Sequence, residues 1–265
     1  MTSLQLLAFD EEGEGAAVVL VHGHPFDRSM WNPQVAPLRE RFRLIAPDLR
    51  GYGESPATPG TVTMRELAAD VESLLDGLGV GEYAAVGLSM GGLVAMELAL
   101  ARPERMWALG LVATTAQPLT ETERRERLTL ADALEAHGMD RAADAMGPRL
   151  LGPSAPAELA ATVDRMMRRN NPKGAAAALR GRARRPDYRP LLKQLDIPTF
   201  ICVGTADTYS TADVTRELRD CFPTPLELTL PEVGHLPNLE SPDVFNRELL
   251  TFLEAARGSR DSAVG

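Results

Sequence analysis

Cysteine is scarce: the 265 residues include two, Cys202 and Cys221. Two thiols cannot build a disulfide framework, and they are too few for an all-cysteine structural zinc site. Histidine is nearly as rare, with four, His22, His24, His137 and His235, so few residues compete for imidazole chemistry. No apolar run approaches the roughly 18 residues that a membrane helix needs. The opening MTSLQLLAFD has neither the basic start nor the long apolar stretch of a signal peptide. A cytoplasmic protein is therefore expected. Positive charge is also short: 28 Lys+Arg against 37 Asp+Glu leave a net of −9. That argues against a nucleic-acid-binding surface, which needs clustered cations. Internal repeats are absent.

What is present is an ordinary globular composition, 44% hydrophobic and 25% charged, in a chain long enough for one large domain with an insertion. Short continuous apolar runs read as strands buried on both faces. They are Ala16–Val21, Arg43–Pro47, Tyr83–Leu88, Trp107–Ala113 and Thr199–Val203. Pro225–Pro231 alternates and suits a sheet edge, and Leu4–Phe9 suits an antiparallel starter. Helical patterns lie between the runs: Thr63–Leu78, which opens with a Thr63/Glu66 capping box, then Gly91–Ala101, Thr211–Arg219 and Asp243–Ala256. This alternation predicts an α/β fold, a mostly parallel, doubly wound sheet of about eight strands.

The alternation stops between residues 117 and 195, where helical patterns continue without a strand. An all-helical insertion, or lid, is expected there, with 1–116 and 196–257 as the core and 258–265 as a flexible tail. Residues 121–193 hold 15 basic and 10 acidic side chains, a net of +5, against −14 for the remainder. Such a lid would attract an anionic substrate. Solvated helix faces are the ordinary alternative for the same arginines.

Gly87-Leu88-Ser89-Met90-Gly91 matches G-x-S-x-G between a strand and a helix. That context places Ser89 on a sharp turn at the carboxyl edge of the sheet, with the Met90 N–H beside it. A helix N-cap is the plainer reading of the same serine. The hydroxyl needs a base, and His235 lies in a loop after the last strand, at the same edge. Asp207 directly follows the strand Thr199–Val203 and can orient the imidazole, whereas Asp213 falls in a helix. The position after Trp107–Ala113 offers Thr114 and Thr115 and no carboxylate. Ser89, Asp207 and His235 then follow the chain order expected of this architecture. The oxyanion donors expected are the backbone N–H groups of Met90 and His24. The His24 side chain is a rival base without an evident acid. His22 reads as structural, His137 as a surface residue, Cys202 as core and Cys221 as unreactive.

In these motifs the chain resembles the α/β-hydrolase superfamily. His22-Gly-His-Pro25, Asp48-Leu-Arg-Gly-Tyr-Gly-Glu-Ser55, Gly87–Gly92, Gly204-Thr-Ala-Asp207 and Gly234–Pro242 occur in the family's order. The resemblance spans roughly residues 16–116 and 196–256, and the insertion falls where the family carries its lid. It implies that Asp48–Ser55 is a structural turn. His24 departs from the large apolar residue frequent at that position. A serine nucleophile sets the chain apart from the similar haloalkane dehalogenases, which use aspartate. The lid end at 170–197 is similar to enol-lactonase-like and esterase-like relatives.

The function these readings imply is hydrolysis of small carboxylic esters or lactones by a Ser-His-Asp triad through an acyl-enzyme, with no cofactor and no metal. C–C bond hydrolysis, perhydrolysis or cofactor-free haloperoxidase activity on the same triad are alternatives. A slow-turnover ligand sensor is another. The expected partner is a small ester or lactone, anionic if the lid steers it, rather than nucleic acid or a membrane. Assembly into a homo-oligomer stays open.

Overall fold

Residues 7–264 are described by the computed structural model. Among them, seven strands form one sheet: β1 (Phe9–Glu12), β2 (Ala16–Val21), β3 (Phe42–Pro47), β4 (Tyr83–Leu88), β5 (Met106–Val112), β6 (Thr199–Gly204) and β7 (Leu226–Leu230). Their order is β1-β3-β2-β4-β5-β6-β7. Only β1 runs antiparallel to its neighbour; the other pairs are parallel. The expected starter differs. It begins at Phe9, and residues 4–6 lie outside the described residues. Strand β1 has no apolar alternation: it is an edge strand held partly by ion pairs of Glu11 with Arg43 and Glu12 with Arg39. Such a polar strand leaves little hydrophobic signal.

Successive side chains of a strand face opposite sides of a sheet, and the core divides accordingly. Val19, Val21, Ala85, Leu109, Leu111 and Ile201 belong to one buried layer. It is completed by α2 (Met64–Gly77) and α3 (Met90–Ala101). Val18, Leu20, Val86, Ala108, Phe200 and Cys202 belong to the other. That layer is covered by α1 (Asn32–Leu38) and the C-terminal helix. The Thr63/Glu66 capping box forms as the sequence predicts. Helix α1, with Pro33 and Pro37 inside seven residues, has no helical signature in sequence.

Between β5 and β6 the chain is helical. It forms α4 (Glu121–His137), α5 (Asp140–Met146), α6 (Ala157–Arg168), α7 (Pro172–Arg182) and the short α8 (Arg189–Leu192). Helix α7 lies against the core backbone to backbone. A Cβ on Gly174 would fall 2.1 Å from the Gly51 carbonyl oxygen, and one on Gly181 would fall 1.7 Å from that of Val62. The Val62 N–H donates to the Ala177 carbonyl of the same helix at 3.0 Å.

After β6 come α9 (Ala212–Arg219), β7, α10 (Pro237–Glu240) and α11 (Pro242–Val264). Helix α11 continues through residues expected from the sequence to form a tail. Arg260 explains part of that extension, donating to Glu82 at 2.7 Å and to the Glu104 carbonyl at 2.9 Å. No helix of the described residues is long and apolar enough to cross a membrane.

Candidate active site

The carboxyl ends of β2, β4, β6 and β7 share one edge, where open α/β sheets meet their ligands. Ser89 stands there between β4 and α3 with φ 54° and ψ −109°. This is left-handed backbone that non-glycine residues rarely adopt. Its neighbours leave room for the turn. A Cβ on Gly87 would lie 2.1 Å from the Gly91 carbonyl oxygen, and one on Gly91 would lie 2.1 Å from that of Val21. The Ser89 N–H donates to the Val112 carbonyl at 2.8 Å, and the Thr114 hydroxyl donates to the Ser89 carbonyl at 2.7 Å. Thr114, in the position that lacks an acid, thus fastens the elbow to the end of β5.

His235 and Asp207 are brought together. Nδ1 of His235 lies 2.8 Å from Oδ2 of Asp207, and both residues are buried. A carboxylate accepts from Nδ1–H, which leaves Nε2 as the basic nitrogen. Burial would raise the Asp207 carboxyl. The His235 hydrogen bond and charge, with the N–H groups of Tyr209 and Ser210, outweigh it and hold the group below its ordinary value. Asp213, the competitor, is exposed and paired with Arg216. Among the described residues no hydrogen bond reaches Ser89 Oγ, so the serine and the His–Asp pair share the edge without a direct bond.

The His235 loop is fixed by residues that sequence patterns do not single out. The Glu240 carboxylate accepts from the N–H groups of Gly152 at 2.7 Å, Gly234 at 3.0 Å and Leu236 at 3.2 Å. The His235 N–H donates to the Leu150 carbonyl at 2.8 Å, tying the loop to the helical insertion. Gln34, Asn238 and Asn246 form a buried amide network that holds α10 against α1 and α11.

The loop after β2 borders Ser89: a Cβ on Gly23 would meet Ser89 Cβ at 3.4 Å. The next backbone N–H, that of His24, therefore lies beside the elbow. The Met90 N–H is the first of α3 and has no partner four residues back within the helix. His24 itself is buried. Its Nδ1 is 2.8 Å from the Tyr52 hydroxyl, while its Nε2 has no partner. Burial, then the charges of Arg182 and Arg127, pull it well below the usual histidine value. Among the described residues no carboxylate touches it. His22 ties loops, with Nδ1 2.9 Å from the Gly23 carbonyl and Nε2 accepting the Leu49 N–H at 2.9 Å. His137 is exposed. Asp48 is structural, its carboxylate accepting the N–H groups of Arg28 and Glu54.

Tyr209 packs on His235 with ring centroids 5.1 Å apart, and Arg149 from the insertion lies 4.9 Å over the Tyr209 ring. Among the described residues no group of three or more His, Cys, Asp or Glu is placed to hold a metal ion.

Comparison with known proteins shows the family and the fold. A 3-oxoadipate enol-lactonase of Acinetobacter baylyi is 29% identical over 235 residues, 86% of this chain and 85% of that protein. Among solved structures, a malate-bound thermophilic esterase of Thermogutta terrifontis superposes with a TM-score of 0.92 at 36% identity, covering 94% of this chain and 93% of the other. An enol-lactonase of Burkholderia xenovorans gives 0.85 at 29% identity, covering 94% and 96%. The model of the alpha/beta hydrolase family matches residues 18–248. The chain belongs to the alpha/beta hydrolase family.

Proposed function

We propose that the protein is a serine hydrolase of small carboxylic esters or lactones. The observation that carries the reading is the left-handed Ser89 on the β4–α3 turn, at the sheet edge that also holds the His235–Asp207 pair. Similarity to esterases and enol-lactonases supports it.

In the first step Ser89 Oγ attacks the carbonyl carbon while Nε2 of His235 takes its proton. Asp207 keeps the imidazole in the tautomer that leaves Nε2 free, and its negative charge offsets the imidazolium that forms. The oxyanion lies between the N–H groups of Met90 and His24, the first at the positive end of α3. His235 returns the proton to the leaving alkoxide, and the acyl group stays on Ser89. Water deprotonated by His235 then releases the acid. The absence of a Ser89–His235 bond agrees with the looser geometry of ligand-free sites. Residues 117–195 act as the lid over this edge.

The test sets wild type beside Ser89→Ala on p-nitrophenyl esters of increasing chain length and on small lactones. Turnover should vanish in the variant. Full esterase activity in Ser89→Ala would refute the reading.

A further inference from the structure

Among the described residues, five of the thirteen arginines of the helical insertion form ion pairs. Arg124 meets Glu121. Arg168 meets Asp140, Asp144 and Asp164; Arg169 meets Asp27; Arg180 meets Asp132 and Glu135; Arg189 meets Asp187 and Glu217. Of the other eight, Arg125, Arg141, Arg149, Arg165 and Arg184 are exposed, whereas Arg127 on α4, Arg182 at the end of α7 and Arg185 just beyond it are partly buried. Among the described residues none of the three has a carboxylate within salt-bridge distance. Each carries a buried nitrogen without a hydrogen-bond partner: Nε of Arg127, Nε of Arg182 and one terminal nitrogen of Arg185. The one hydrogen bond in the group, among the described residues, runs from Arg185 Nε to the Gln117 carbonyl at 2.8 Å.

The three lie within electrostatic reach of one another, and Arg182 and Arg127 reach the candidate active site. Arg182 lies within electrostatic reach of Arg127, Arg185, Tyr52 and Tyr209. Arg182 and Arg127 both act on His24. Tyr52 touches His24 and Met90 Sδ, and Tyr209 packs on His235. Arg182 and Arg127 are therefore within reach of both sides of the elbow, and Arg185 adjoins them. Burial and mutual repulsion pull Arg182 well below the usual arginine value and Arg185 down to about 10. Arginines nevertheless stay cationic at neutral pH. Glu123 and Glu126 act on this cluster from a distance and form no ion pair with it, and three half-buried like charges held that way are costly unless an anion joins them. Planar guanidinium forks match a carboxylate.

We infer that Arg127, Arg182 and Arg185, with the unpartnered Nε2 of His24, form a recess for a carboxylate of the substrate. The substrate class is then an ester or lactone that carries a second, free carboxylate away from the bond to be cleaved. This deepens the hydrolase reading and rests on it for the substrate, while the recess itself is testable without turnover.

Two measurements decide it. The first is the melting temperature with glutarate, against sodium chloride at equal ionic strength, for wild type, Ser89→Ala, Arg182→Gln, Arg127→Gln and Arg180→Gln. Glutarate should raise the Tm of wild type, Ser89→Ala and Arg180→Gln alike, and the rise should vanish in Arg182→Gln and Arg127→Gln. The second is the ratio of kcat/KM for mono(4-nitrophenyl) glutarate to that for 4-nitrophenyl pentanoate. Arg182→Gln should lower this ratio roughly tenfold or more, the worth of a hydrogen bond to a charged group. Arg180→Gln, which removes the same charge from the same helix, should leave the ratio in place. No glutarate shift in wild type, or the same shift in both recess variants, overturns the recess. So does a lower ligand-free Tm in both, which would make the arginines structural. An equal loss in Arg180→Gln overturns it in favour of long-range steering. If neither ester turns over in wild type the hydrolase reading fails, and the glutarate shifts still judge the recess.

Discussion

The Tyr52 hydroxyl lies 2.8 Å from Nδ1 of His24 and 3.8 Å from Sδ of Met90. Nitrogen accepts better than a thioether, so the hydroxyl donates to Nδ1 and the proton of the neutral ring sits on Nε2. That makes His24 a donor beside the elbow rather than a second base. His24→Gln should therefore keep the pH profile of kcat that wild type shows, with the same midpoint, because His24 takes no proton in the proposed cycle. A shifted midpoint would return His24 to the proton-transfer step.

Two of the buried histidines, His22 and His24, also set an acid limit on stability. Burial lowers the folded pKa of both His22 and His24 below the ordinary histidine value. Unfolding near pH 6 then takes up protons, so stability is full above about 6.5 and falls as the pH drops below it. Each histidine contributes a slope of up to about 1.4 kcal/mol per pH unit between its unfolded and folded pKa. Asp207 acts in a lower window, since its depressed pKa costs stability only once the pH falls below the ordinary aspartate range. Urea unfolding between pH 7.5 and 5 checks this. A flat curve would contradict it.

Asp207→Asn should fold and should lose about a thousandfold or more in kcat. An amide can donate to Nδ1 and so trap the imidazole with its proton on the wrong nitrogen. Steady-state kinetics on a p-nitrophenyl ester measures the loss. A change of less than tenfold would mean that another group orients His235.

Glu240→Ala should weaken both the His235 loop and its tie to the insertion, because three backbone N–H groups lose one carboxylate. A stability loss of about 2–4 kcal/mol is expected, since hydrogen bonds to charged groups are worth about 1.5–3 kcal/mol each and do not add fully. Denaturant unfolding reads it. The activity lost with it should appear in kcat, which depends on where His235 is held.

Glycines at two places should respond with opposite signs. Gly91→Ala drives a Cβ to 2.1 Å from the Val21 carbonyl oxygen and should destabilise by about 3 kcal/mol or more. Gly77 in α2 has open space around its would-be Cβ. Gly77→Ala should stabilise by about 0.5–1 kcal/mol, the helix cost of glycine. Thermal melts of the two variants settle the comparison.

Much of the fold is legible in the sequence, for a physical reason. A parallel sheet buried on both faces needs continuous apolar runs, and β2, β4, β5 and β6 supply them unbroken. The Ser89 elbow is legible because its geometry demands glycine at 87 and 91. His235 and Asp207 follow from being placed after strands that end at one edge. Polar β1 and proline-bearing α1 are not legible, because tertiary contacts rather than local pattern hold them. Glu240, Tyr52 and the three partly buried arginines without an ion pair are equally hidden. A sequence counts the charges of the insertion but does not say which of them find partners.

Backbone contact at Gly174 and Gly181 divides the insertion into a fixed part and an exchangeable part. With its glycines pressed on Gly51 and Val62, α7 is floor rather than roof. A graft of the insertion from a relative should therefore keep residues 170–183, together with 150–152, whose backbone holds the His235 loop, and replace only the stretches before and between them. A junction drawn at 117 and 195 would import a helix whose side chains were never shaped to this floor.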